Sequence, residues 1–231
     1  EADDGGDEPA GVRPEQVGGR HVPHLDAVGQ RRAGGRQQEH QVQQQVPGVA
    51  RAVTVGVALD RDHVDAVRCL QRRLGVPATE RSSPPHITLV VVLEAPDRAT
   101  VDAAVAAVAA RTPAFTVRAR GLGVFHDGDG GPVLHVPVVR TPELARLHQD
   151  VHDAVVAAGG VVEGRSAPAS WSPHITLWDR GLTADRLACA VADLVSAPPI
   201  AWTVPVASLV TMDRHAVGAE VPLRRPPSPG G

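Results

Sequence analysis

The sequence has no lysine and no tyrosine, and only two phenylalanines, three tryptophans and two cysteines in 231 residues. Without lysine there is no Schiff base, lysine nucleophile or P-loop lysine, and arginine is the only permanent cation for holding phosphate or carboxylate. With so few rings the core must be built from Val, Leu and Ala. Cys69 and Cys189 are too few for a disulfide framework or a zinc knuckle. Both fall in helical segments and are expected as buried small hydrophobes of a cytoplasmic protein, a single bridge being the alternative. Long apolar runs are missing too. The longest alanine-valine stretch, 101–110, contains Asp102 and is too short to cross a bilayer, so no membrane partner is expected. The first residues, EADDGGDEPA, have neither the basic start nor the apolar run of a secretory signal.

What is present is an ordinary globular balance, 42% hydrophobic and 21% charged. Residues 1–50 stand apart. Eight of the ten glutamines lie there, and no apolar face runs through QQEHQVQQQVPG at period two or 3.6, so a disordered Gln/Gly-rich tail is expected. Residues 215–231 are Pro-rich and are likewise expected not to pack. Eight of the 26 acids and five of the 23 arginines lie in 1–50, so the remainder is formally neutral. A neutral domain suits a small ligand or the end of a strand better than a long nucleic acid, which draws on a basic excess.

From residue 51 the pattern alternates. RAVTVGVAL (51–59) and PHITLVVVL (85–93) read as strands around a helix capped by Asp60 and stopped by Gly75. A helix over 97–111 carries Val101, Val105 and Val108, and AFTVRARGLGV (114–124) is a further strand with Arg118 and Arg120 on its polar face. The order then repeats: strand 133–139, a helix striped by Leu144, Leu147, Val151 and Val155, strand 173–178, helix 183–195, strand 200–212. The expected fold is α+β, with two pseudo-symmetric lobes (about 51–124 and 132–214). Each is an antiparallel sheet with helices on its outer face, and together they enclose a central cleft.

An identical pentapeptide, Pro-His-Ile-Thr-Leu, occupies 85–89 and 173–177. On a strand, His86 and Thr88 share one face and Ile87 and Leu89 the other, and the same holds for His174 and Thr176 against Ile175 and Leu177. The aliphatic pairs belong under the helices, leaving two imidazoles and two hydroxyls in the cleft. Two imidazoles supply an acid and a base near neutral pH, and hydroxyls supply donors to a charged oxygen. A lone strand histidine is ordinarily structural. Duplication of the His-x-Thr pair on equivalent strands is what points to catalysis.

Two His-x-Thr motifs in two similar lobes resemble the 2H phosphoesterase superfamily, particularly its bacterial branch named 2'-5' RNA ligase or RNA 2',3'-cyclic phosphodiesterase. The resemblance covers about 51–214 and extends to Gly121-Leu-Gly-Val-Phe125 ahead of the strand PVLHVPV. It implies an enzyme that needs no cofactor or metal and hydrolyses the 2',3'-cyclic phosphate of RNA ends or nucleotides to a 2'-phosphate. His86 would be proton donor, His174 acceptor, and Thr88 and Thr176 would hold the non-bridging oxygens. Reversible 2'-5' ligation is the microscopic reverse, and Arg180 stands for the arginine that follows the second motif.

Around this centre Arg118 and Arg120 are candidates for neutralising phosphate, and Phe125, Trp171 and Trp178 for stacking a base. His135 alternates toward the cleft. His148 and His152 have helical i,i+4 spacing, but no third ligand for a metal is evident. The competing readings are a phosphodiesterase acting on 2'-5'-linked or cyclic oligonucleotides or an ADP-ribose cyclic phosphate, and a non-catalytic RNA-end binding module. The expected state is a monomer.

Overall fold

Each helix begins where a short oxygen-bearing side chain accepts a free backbone N–H of the first turn. In the computed structural model, which describes residues 52–80, 84–126, 131–213 and 217–225, Asp60 accepts from the His63 amide at 2.9 Å and opens α1 (Arg61–Arg73). Asp97 accepts from the Thr100 amide at 2.6 Å and opens α2 (Arg98–Arg111). Thr141 and Thr183 cap α3 (Pro142–Ala157) and α4 (Ala184–Val195) in the same way. Gly75, at φ +71°, takes the left-handed conformation that ends α1, as the sequence predicts. The expected stripes are the buried ones: Val101, Val105 and Val108 on α2, and Leu144, Leu147, Val151 and Val155 on α3. Among the described residues no helix is long and apolar enough to cross a membrane.

The strands are β1 (Val53–Ala58), β2 (His86–Glu94), β3 (Phe115–Arg120), β4 (Gly123–His126), β5 (Pro132–Pro137), β6 (Val161–Val162), β7 (His174–Trp178), β8 (Ala201–Val206), β9 (Ser208–Met212) and β10 (Val217–Pro222). They form an antiparallel sheet in the order β10-β9-β1-β2-β7-β5-β4, with β6 on β2, and a separate β3–β8 ribbon. The fold is α+β, as expected. Its two lobes are the β10-β9-β1-β2 half and the β7-β5-β4 half, and they meet where Ile87 on β2 pairs with Ile175 on β7.

The lobes are not the two halves of the sequence. The chain returns β9 and β10 to the free edge of β1, and α3 packs on α2 and β2 in the first lobe, whereas α1 packs against β7 in the second. The boundaries expected at 51–124 and 132–214 are therefore corrected. Periodicity tells which face of a strand is buried and is silent on which edge it joins. The strand expected over 114–124 breaks at Gly121, φ +73°, into β3 and β4. That over 200–212 divides at Ala207, with β8 pairing to β3 and β9 to β1. The tail expected from 215 is corrected in part. Val217–Pro222 pair with β9, closing an edge whose amides need partners, and Leu223 is buried. The expectation for residues 1–50, and that for 226–231, lie outside the described residues. Cys69 and Cys189 are free thiols and exposed, not buried, because α1 buries Val67 and Gln71 and α4 buries Ala190 and Leu194.

Candidate active site

Ile87 and Ile175 are fully buried on the helix-covered face. Because their pairing is antiparallel, the register places His86 beside Thr176 and Thr88 beside His174 on the opposite face. The four half-buried side chains thus surround the point where the two lobes join, related by a local two-fold through the isoleucine pair. The pentapeptides meet as the duplicated pattern predicts.

The two-fold extends into the backbone. Thr88 pairs with Gly56 while Val90 pairs with Val55, so Leu89 is an extra residue, a β-bulge. Thr176 pairs with His135 while Trp178 pairs with Leu134, so Leu177 is the matching bulge. Each bulge frees backbone groups that distant side chains take up. The Trp171 indole donates to the Thr88 carbonyl at 2.9 Å, the Val91 amide donates to Ser166 Oγ at 3.0 Å, and Gln71 Nε2 donates to the Leu177 carbonyl at 3.1 Å. Gly56 is needed on β1, since a Cβ there would lie 2.8 Å from the Ile87 carbonyl oxygen and 3.0 Å from the His86 ring.

Both imidazoles are held in one tautomer. His86 Nδ1 lies 2.8 Å from the carbonyl of Pro84, and His174 Nδ1 lies 2.8 Å from that of Ser172. A carbonyl only accepts, so each Nδ1 carries the hydrogen and each Nε2 is left to give or take a proton. The intervening residue is the proline of each pentapeptide, which restricts the backbone of the residue bearing the carbonyl. Thr88 Oγ1 lies 3.0 Å from His86 Nε2 and donates to it in this tautomer. Burial is the main influence on both rings and pushes each below the ordinary imidazole pKa, opposed by the carbonyl bonds. A charge on His174 further disfavours one on His86, and the carboxylate of Asp179 favours it.

The remaining candidates divide. Phe125 lies on the cleft face, its ring centroid 4.9 Å from that of His174, and His135 completes the corner at 4.9 Å from Phe125 and 5.2 Å from His174. Gly123, opposite His135 on β4, leaves room for that ring, which a Cβ would meet at 2.4 Å. Ala119 bridges Val138, so the exposed Arg118 and Arg120 lie on the same side of the ribbon as Pro137, which pairs with His174. Arg180 is exposed in the turn after β7, its carbonyl taken by the Trp178 indole at 2.8 Å.

Trp178 does not face the histidines. The bulge at Leu177 shifts the alternation by one, so Trp178 is buried on the helix side. There, with Arg73, Arg186 and Cys189, it lines a cavity of about 440 Å³ between α1 and α4. Trp171 is likewise buried, stacked on His148 at 3.9 Å with Arg140 over its ring at 5.6 Å. His148 is itself fully buried, its Nε2 donating to the Ser166 carbonyl at 3.0 Å, and serves packing. Among the described residues no group of three or more His, Cys, Asp or Glu is placed to hold a metal ion. Sequence reasoning missed Asp179, Gly56, Gly123 and the bulge-bracing Ser166 and Gln71. The signal for Asp179 was its place one turn of the alternation beyond Thr176, hidden by the bulge.

Comparison with known proteins gives the family and the fold. A family model described as the 2'-5' RNA ligase superfamily matches residues 57–216. TT0787 of Thermus thermophilus superposes with a TM-score of 0.52 at 21% identity, covering 75% of this chain and 98% of that one. E. coli LigT, solved with 3'-AMP, gives 0.47 at 19%, covering 75% and 95%. No curated protein sequence matches significantly. With the paired motifs joined at Ile87 and Ile175 and the family match spanning both, the chain belongs to the 2'-5' RNA ligase superfamily, among the 2H phosphoesterases.

Proposed function

We propose that this protein is a metal-independent phosphodiesterase that opens the 2',3'-cyclic phosphate of RNA ends or nucleotides to a 2'-phosphate. The observation that carries the reading is the two-fold pair of imidazoles, each with Nδ1 fixed on a carbonyl and Nε2 left for proton transfer. Binding alone does not call for two titratable groups in matched tautomers, whereas in-line displacement at phosphorus needs a base on the attacking side and an acid on the leaving side.

Neutral His174 takes a proton from water as its oxygen attacks phosphorus. The bond from phosphorus to the 3'-oxygen breaks, and protonated His86 gives its proton to that oxygen. The products are a 3'-hydroxyl and a 2'-phosphate, with the proton now on His174, and exchange with solvent restores the starting state. Thr88 and Thr176 donate to the non-bridging oxygens, where charge concentrates in the transition state. Phe125 offers a face for the base, and Arg118, Arg120 and Arg180 supply the permanent positive charge at the margin. Run forwards with a 5'-hydroxyl in place of water, the same steps form a 2'-5' linkage, and run backwards they cleave one.

The test is incubation with 2',3'-cyclic nucleotides, and with RNA ending in a cyclic phosphate, in excess chelator. Release of 2'-phosphate is the expected result. Binding without turnover indicates an RNA-end module, and turnover abolished by chelator indicates metal chemistry; either overturns the proposal.

A further inference from the structure

The local two-fold makes His86 and His174 nearly equivalent, yet the reaction needs one charged and one neutral. Two cleft positions break the symmetry. Opposite Thr88 stands Gly56, while opposite Thr176 stands His135. Beyond the first bulge the chain continues with Val91, and beyond the second the matching position is Asp179. The antiparallel register carries the residues after Ile175 back along those before Ile87, so Asp179 travels to the His86 end of the site and away from His174. The bulge at Leu177 returns it to the face that Thr176 occupies. Its Oδ1 accepts the Arg180 amide at 2.9 Å, which holds the carboxylate in a tight turn.

We infer that Asp179 is a positioning residue that directs the shared proton to His86, making His86 the acid and His174 the base. This rests on the phosphodiesterase reading above. The groups facing His86 are Thr88 on its own strand, Ala58 and Gly56 on β1, and Thr176, His174 and Asp179 from β7. Burial works against a charge on His86 more than anything else does; the Pro84 carbonyl favours the charge, a charge on His174 opposes it, and the Asp179 carboxylate favours it. The surroundings of His174 are of the other kind. Its ring lies against Phe125 and His135, and burial and the Ser172 carbonyl act on it with no carboxylate beside them among the described residues. The carboxylate is thus present on the His86 side of the two-fold and has no counterpart among the described residues acting on His174.

The test is Asp179→Asn in the full chain, read in two ways. Imidazole nitrogen shifts followed by NMR against pH report which ring is charged, without reference to turnover. In the variant His86 is expected to lose its proton at lower pH than in the parent. The rate profile with a 2',3'-cyclic nucleotide is expected to lose its basic side first, with about fivefold more activity lost at pH 8 than at pH 6. Asp179→Glu restores both. An unchanged His86 titration overturns the inference, as does a shift of the acidic side instead of the basic one. A titration that moves as expected in a protein that turns over no cyclic phosphate leaves the electrostatic assignment standing and removes the function proposed above.

Discussion

Ile87 and Ile175 sit back to back with the chemistry: their side chains are sealed beneath the helices while the residues on either side of each form the open face. Burying a residue of this size contributes about 1.5–3 kcal/mol, and the same contact fixes the register of both motifs. The buried contact and the candidate site thus share one pair of strands.

The hydroxyls can be separated from the imidazoles. Thr88→Val and Thr176→Val keep the β-branched shape that suits a strand and remove only a donor. Each is expected to lower kcat on a cyclic nucleotide about 10²-fold with little change in KM, since the donor acts on charge that develops in the transition state. His86→Ala and His174→Ala are expected to lose about 10³-fold. Steady-state kinetics of the four variants decides it.

Acid stability follows from His148. Its burial pushes the pKa down from 6.5 to about 4, so the unfolded chain binds the proton more readily than the folded one. The stabilisation is complete above the unfolded value near 6.5 and is lost as pH falls toward about 4, amounting to about 3 kcal/mol. His86 and His174 shift in the same direction and add to it. Urea midpoints at pH 7.5 and 4.5 should differ accordingly, and His148→Gln should narrow that difference.

The alternation of apolar residues, the helix caps and the repeated pentapeptide make the elements, the buried faces and the paired histidines legible in the sequence. Strict period two then fails at Leu89 and Leu177, where one inserted residue turns everything beyond it, which is why alternation alone puts Trp178 in the cleft and hides Asp179. Strand neighbours are beyond reach for another reason. Nothing local in SLVTM says that it pairs with VTVGVA about 150 residues earlier rather than continuing the ribbon of β8. The exposed thiols have a simpler cause, since the buried stripe of α1 passes through Val67 and Gln71 and leaves Cys69 outside.

The two glycines packed against cleft histidines, Gly56 and Gly123, should respond differently. At Gly123 an added methyl meets the His135 ring, a side chain able to swing, whereas at Gly56 it meets the Ile87 carbonyl, which is pinned in the sheet. Gly56→Ala is expected to cost about 2–3 kcal/mol, and Gly123→Ala about 1 kcal/mol. Because His135 touches both Phe125 and His174, Gly123→Ala should nevertheless reduce activity out of proportion to its stability. Thermal unfolding and kcat/KM measured side by side give the comparison.

The brace at the first bulge is separable from the stack beside it. Trp171→Phe retains a ring against His148 and removes the indole N–H that serves the Thr88 carbonyl. A loss of about 1–2 kcal/mol is expected, together with a reduced kcat, as the strand bearing Thr88 loosens. Equal kcat in the two proteins would show that the bulge holds itself.

The carbonyls that orient the imidazoles come from two residues upstream, just ahead of each strand, with a proline between. Each copy of the pentapeptide, with the residue before it, therefore brings its own device for choosing a tautomer and borrows nothing from the partner lobe for that purpose. Duplicating such a segment duplicates a working half-site at once. What remains for the rest of the chain to evolve is the difference between the halves.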